Sequence, residues 1–227
     1  MAASTSGTYA FNPEISEISI EAWERLGKAQ EEMPATYARS VRRSLNYLFV
    51  DWANEGCNQW AVVQDNPFTV TQGQATYQLA AGTVDVLEMT LTRNGQELPM
   101  TPIGRAEYVS YTDKTTQGRP STFCVFRTIP TASYSVYPAP ENSTDTITVW
   151  RLRQMQDVTA GYQTADVPYR FQEALVSGLA AKIAVKYAPD RQQMLQGMAD
   201  KAFQLAWSED RERVATILVP DFGGAYY

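Results

Sequence analysis

The chain has no histidine and only two cysteines, Cys57 and Cys124. Without an imidazole there is no Ser-His-Asp or Cys-His nucleophile pair and no His-containing zinc site. Two thiolates cannot complete a four-thiolate centre, and they are too few for a disulfide framework, so both read as buried free thiols. Neither common glycine-rich phosphate loop occurs, nor does a Gly-x-Ser-x-Gly elbow. Paired carboxylates are what remains, because two of them flanking a glycosidic bond can hydrolyse it. The candidate pairs are Asp51 with Glu55, one helical turn apart, and Asp85 with Glu88 in a β-rich stretch. The first pair reads more simply as a solvated helix face. Strand alternation would place the second on opposite faces. The sequence therefore predicts a chain that is not an enzyme, with no catalytic, cofactor or metal residues.

Two other groups could bind rather than react. Arg39, Arg42 and Arg43 form a basic patch at helical spacing. It is either a face balanced by acids such as Asp51 or a contact with a neighbouring subunit or with DNA in a channel. Arg151 and Arg153, which alternate onto one strand face, carry the same two readings. The net charge of -6 argues against a protein whose main task is gripping nucleic acid, which needs clustered Lys and Arg. DNA passing close by remains compatible with it. The second group is the C-terminal segment, where Ile217, Leu218, Val219, Phe222, Tyr226 and Tyr227 are interrupted by Pro220 and Gly223-Gly224. An unpaired apolar tail is a liability for a monomer, so it either folds back on its own helices or docks on another chain. A tail that orders on docking gains specificity at an entropic cost.

The elements that position these groups follow from periodicity. Asn12-Pro13 suits a helix start, and Ile15, Ile18, Ala22 and Leu26 recur at helical spacing after it. Pro34 suits the first turn of a second helix, on which Tyr37, Val41, Leu45, Leu48 and Trp52 form one stripe and Gly56 offers a stop. From Trp60 to about Val158 the chain changes to short segments rich in Val, Thr, Tyr and Ile, six to eight strands in all. Asn94-Gly95 between Leu91 and Leu98 marks a hairpin. Helix returns after Asp166, read as a cap, with the stripe Phe171, Leu175, Leu179 and Ile183, and Ala188-Pro189-Asp190 breaks it. A last helix carries Met194, Met198 and Leu205. With 44% hydrophobic residues the chain can bury a sizeable core. The fold class is α+β: terminal helices form a bundle with an inserted small antiparallel β-sandwich or barrel. The divisions are a flexible arm (1–12), bundle (13–58), β domain (59–160), bundle (161–213) and extended tail (214–227). Residues 1–11 lack a basic start and an apolar core, and no apolar run reaches the roughly 18 residues that span a bilayer, so a soluble protein made in the cytoplasm and not bound to membrane is expected.

Several local patterns, in order, resemble one family. They are Trp52 with Asn54-Glu55-Gly56, Asn58 and Trp60, and Gly73 with Tyr77-Gln78-Leu79 and Val84-Asp85-Val86-Leu87. Further on come Gly118-Arg119-Pro120-Ser121 with Phe123, and Val136-Tyr137-Pro138-Ala139-Pro140. Last are Val167-Pro168, Glu173-Ala174-Leu175, Gly178-Leu179-Ala180 and Lys186-Tyr187-Ala188-Pro189. Together they resemble the head-to-tail adaptors of short-tailed bacteriophages, also called tail tubular or head-completion proteins. Ala80-Ala81-Gly82 departs from that pattern, where a Pro is often found. The resemblance implies a structural neck protein of the virion and a ring, a dodecamer matching the portal. Its partners would be itself, the portal protein and the tail tube or nozzle protein, with double-stranded DNA passing through unbound. On this reading residues 73–87 hold the first β-hairpin, Trp52 and Trp60 close the junction between bundle and β domain, and the C-terminal apolar residues dock on the portal. The alternatives are another tail or baseplate component, or a carbohydrate-binding or carbohydrate-active module using the β domain.

Overall fold

The computed structural model describes residues 6–56 and 59–210. Its helices are α1 (Ile15–Arg25), α2 (Tyr37–Asn54), α3 (Arg105–Ser110), α4 (Gln172–Tyr187) and α5 (Gln192–Glu209). Neither Asn12 nor Pro13 lies within α1 or caps it. The first helical N–H groups are satisfied from a distant segment, Ile15 N–H by the Gln163 carbonyl and Ser16 N–H by that of Gly161, both at 2.9 Å. The Glu17 carboxylate reaches back to the Glu14 N–H at 3.2 Å. Asn12 instead accepts from the Gln172 side chain at 3.1 Å. Pro34 likewise precedes α2, its carbonyl accepting from Tyr37 N–H at 2.9 Å. Gly56 stops that helix as expected, at φ +81, where a side chain would be strained.

Helix α4 is the axis of the bundle. Eleven of its sixteen residues are buried, well beyond a single stripe. A helix apolar nearly all round is one enclosed by neighbours, and α1, α2 and α5 all pack on it. Two aromatic clusters lock the arrangement. Trp23, Tyr37 and Tyr187 meet edge to face with centroids 4.8 to 5.8 Å apart. Trp52 stacks on Phe203 at 5.4 Å and touches Phe171 at 5.8 Å. Such pairs contribute about 1 kcal/mol each beyond their buried area.

The region between α2 and α4 holds eleven short strands among the described residues: β1 (Val62–Gln64), β2 (Phe68–Thr69), β3 (Thr76–Gln78), β4 (Thr83–Arg93), β5 (Gln96–Pro99), β6 (Thr101–Pro102), β7 (Gln117–Gly118), β8 (Thr122–Phe126), β9 (Ser133–Tyr137), β10 (Ala139–Pro140) and β11 (Thr146–Arg153). One sheet runs β1-β11-β4-β5 with β2 also on β11, a second runs β3-β9-β8-β6, and β10 pairs β7. Most pairs are antiparallel, but β6 with β8 and β7 with β10 are parallel. Val86, Met89, Leu91, Ile147 and Val149 from the first sheet share one buried cluster with Phe123, Tyr134 and Val136 from the second, so the two sheets form a sandwich. The fold is α+β.

Asn94 and Gly95 both take positive φ, +52 and +76, and join β4 to β5 in the anticipated hairpin. The hairpin expected within residues 73–87 is not formed. β3 pairs with β9 and β4 with β11, in different sheets. Ala80-Ala81-Gly82, ending in Gly82 at φ +75, turns the chain between them, and Thr83 donates twice to the Ala80 carbonyl.

Candidate interaction surfaces

The chemistry-bearing residues are mostly engaged in holding this frame. Asp51 pairs with Lys182 of α4. Asp85 pairs with Arg127 and accepts from its neighbour's Val86 N–H. It lines a recess of about 600 Å³ with Arg105, Phe123 and Arg127, which Glu88 does not line. Glu88 faces Trp150 across the ladder, beside a register shift that leaves Leu87 unpaired and puts both Val86 and Met89 in the core. This bulge breaks the strict alternation on which the opposite-face expectation rested. Asp51 and Glu55 do share a recess, about 360 Å³ between α2, α4 and α5, but there Asp51 is held by Lys182, whereas Asp85 and Glu88 are not brought together around the recess that Asp85 lines. Among the described residues no group of three or more Cys, Asp and Glu is placed to hold a metal ion. Cys124 is buried, and that burial pushes its thiol pKa up; Cys57 lies outside the described residues.

The strand arginines are also spoken for. Arg151 donates from Nε to both oxygens of Asp65, at 2.8 and 2.9 Å. Arg153 pairs with Asp166, whose second partner is the Gln156 N–H at 2.8 Å. Asp166 therefore does not cap α4. Its backbone carbonyl instead receives Trp60 Nε1 at 2.9 Å, and Pro168 leads into a short 3-10 turn, Tyr169–Phe171, ahead of α4. Trp60 stands where the sandwich leaves the bundle, packed on Phe171, whereas Trp52 belongs to the bundle interior.

The arginines of α2 form no ion pair among the described residues. Arg39, Arg42 and Arg43 stand on the exposed side of α2 with Tyr47 and Val50, which are 65% and 55% exposed. Arg42 donates to the Thr159 carbonyl at 3.1 Å. Among the described residues Arg39 and Arg43 have no carboxylate within ion-pair distance.

On the other side lies a trough that sequence reading missed. Between α1 and α4 it has a volume of about 680 Å³ and is lined by Phe11, Ile20, Glu21, Glu24, Tyr169 and Val176 among others. A second recess, about 540 Å³, continues it onto α5 past Met198, Lys201 and Leu205, the two sharing Arg170 and Glu173. Arg25 crosses its floor, donating to Glu173 at 2.7 and 2.9 Å and to Ser177 at 2.7 Å. That hydrogen bond from Arg25 holds the Glu173 carboxyl below its ordinary pKa. Its apolar lining includes Ile20 and Tyr169, and that of its continuation Met198 and Leu205, residues whose types were visible in the sequence one element at a time.

Met194, Met198 and Leu205 are in fact 57%, 48% and 60% exposed, and the buried face of α5 is Leu195, Ala199, Phe203 and Ala206. The apolar C-terminal residues Ile217, Leu218, Val219, Phe222, Tyr226 and Tyr227 lie outside the described residues. No helix among the described residues is long and apolar enough to cross a membrane.

No curated protein matches the chain. The SU10 adaptor protein family model matches residues 15–220, from the first residue of α1 through the whole β-sandwich and beyond α5. An enclosed helical frame, an inserted sandwich and open apolar faces accompany that match: the chain belongs to the SU10 adaptor protein family, structural proteins of bacteriophages.

Proposed function

We propose that this chain is the head-to-tail adaptor of a short-tailed phage neck. Its copies form a ring, a dodecamer, between portal and tail, continuing the DNA channel and helping to retain and then release the genome. The observation that carries the reading is the unbroken family match over residues 15–220, which takes helices and sandwich together as one unit. The exposed apolar edges on α2 and α5 support it, because such surface on a small chain marks a place for a partner.

In this reading the helical parts (13–58 and 161–213) pack side by side around the ring, and the β part (59–160) meets the tail tube or nozzle protein. Ile217, Leu218, Val219, Phe222, Tyr226 and Tyr227 dock on the portal. The net charge of -6 keeps the phosphate backbone from adhering to the wall, so DNA slides. Salt weakens that repulsion beyond about 8–10 Å.

Electron microscopy of the purified chain mixed with the portal ring of the same phage tests this directly. A second ring stacked coaxially on the portal is the expected result. An undecorated portal overturns the reading, and truncation after Arg213 should leave the chain folded but abolish decoration.

A further inference from the structure

We infer, on the reading of the chain as a ring subunit, that the ring closes by seating the outer side of α2 from one copy in the α1–α4 trough of the next. The two surfaces face opposite ways on one bundle. Gly178 of α4 packs on Leu48 of α2, and at about 100° per residue Glu173 and Val176, which line the trough, stand nearly half a turn round from Gly178. The exposed side of α2 points away from α4 altogether, since its buried residues, among them Leu45, Leu48 and Trp52, face inward. One copy therefore cannot satisfy both surfaces by itself. Contact between two unlike patches is heterologous, and repeated around an axis it generates a ring.

Charge selects the occupant. The α2 side offers Arg39 and Arg43 with no acid partner among the described residues, flanking the apolar pair Tyr47 and Val50. The trough offers Glu21 and Glu24 on its rim around Phe11 and Tyr169, which are 69% and 73% exposed. Arg25 neutralises only part of that rim, through Glu21 and Glu173. A basic ridge with an apolar centre thus meets an acid-rimmed apolar trough. Complementary charge of this kind fixes register and excludes wrong partners, while the apolar centre supplies the affinity.

The test is a charge swap read by electron microscopy on portal rings. One variant carries Arg39→Glu with Arg43→Glu, the other Glu21→Lys with Glu24→Lys. Each alone places like charges across every junction and is expected to lower the yield of decorated portals at least about tenfold. An equimolar mixture restores rings, because alternating copies place opposite charges at each junction. Circular dichroism and thermal unfolding keep loss of fold apart from loss of contact. Rings from either variant alone, or a mixture of two folded variants that forms none, overturn this interface while leaving the adaptor reading intact. A wild-type chain that forms no ring on the portal removes the ring reading and the interface with it.

Discussion

Gly178 of α4 lies directly under Leu48 of α2: a Cβ added to it would meet Leu48 Cδ2 at 2.9 Å and Cδ1 at 3.1 Å. The missing methyl sets how closely the two helices approach. Gly178→Ala is expected to lower stability by about 1 kcal/mol, since overpacking costs roughly 1–3 kcal/mol and alanine returns about 1 kcal/mol of helix propensity. In a Leu48→Ala background the same change should become neutral or stabilising, as the clash has gone. A double-mutant cycle by urea unfolding reads the coupling; strict additivity would show that the contact does not limit the packing.

Arg93 donates to both oxygens of Asp145, at 2.6 to 3.0 Å, and to Glu141 at 2.7 Å. Asp145 is 2% exposed, so Arg93→Met leaves a carboxylate buried without its cation, which costs about 3 kcal/mol. Arg93→Lys should restore only part, because an ammonium cannot reproduce the planar fork. Equal stability for the Met and Lys variants would show that geometry is irrelevant here.

Two carboxyls link the fold to pH. Burial pushes Asp166 up, but the hydrogen bonds from Arg153 and the Gln156 N–H, with the charge of Arg153, outweigh it, and its pKa falls below the ordinary value. Glu173 is lowered by the hydrogen bond from Arg25. A carboxyl with a depressed folded pKa stabilises fully above its unfolded pKa of about 4, and the contribution is lost as pH falls through the folded value. Chemical unfolding between pH 7 and 2 should therefore show stability falling below about pH 4. Asp166→Asn should be less stable at pH 7 and flatter in that acid range; an unchanged slope would assign the acid loss elsewhere.

The two apolar edges of α5 should separate cleanly. Leu195→Ala, at a site 3% exposed, is expected to cost about 2–5 kcal/mol. Leu205→Gln, at a site 60% exposed, should change stability by no more than about 0.5 kcal/mol. Thermal unfolding of the two variants checks the pair, and a large loss for Leu205→Gln would place that edge in the monomer's own core.

The helical stripes, the Asn94-Gly95 hairpin and the break at Ala188-Pro189 were legible because each depends on residues a few positions apart. What failed depends on partners far along the chain. Asp166 has the composition of a cap, yet Arg153 claims it. Tyr77 and Val86 are near in sequence, yet their strands find partners in different sheets. The short helix α3 has no buried residue, so no periodic stripe announced it. The trough was legible only as separate apolar residues: it is made by α1 and α4, and only their docking turns two surplus sets of them into one surface. The basic patch, by contrast, was readable on α2 alone.

The placement of α4 has a consequence for biogenesis. Arg25 meets Glu173 across 148 positions and Lys186 meets Ser40 across 146. At about 5–20 residues per second, α1 and α2 leave the ribosome on the order of ten seconds before the helix they wrap has been made. The sandwich, whose pairings lie wholly within that interval, can mature in the meantime. Nascent chains stalled after β11 are expected to protect sandwich amides from hydrogen exchange while those of α1 and α2 exchange freely; early protection of α1 would refute this order. Translation thus acts as a timer: the trough comes into being only once α4 has been threaded against α1, and a half-made chain does not yet have that surface.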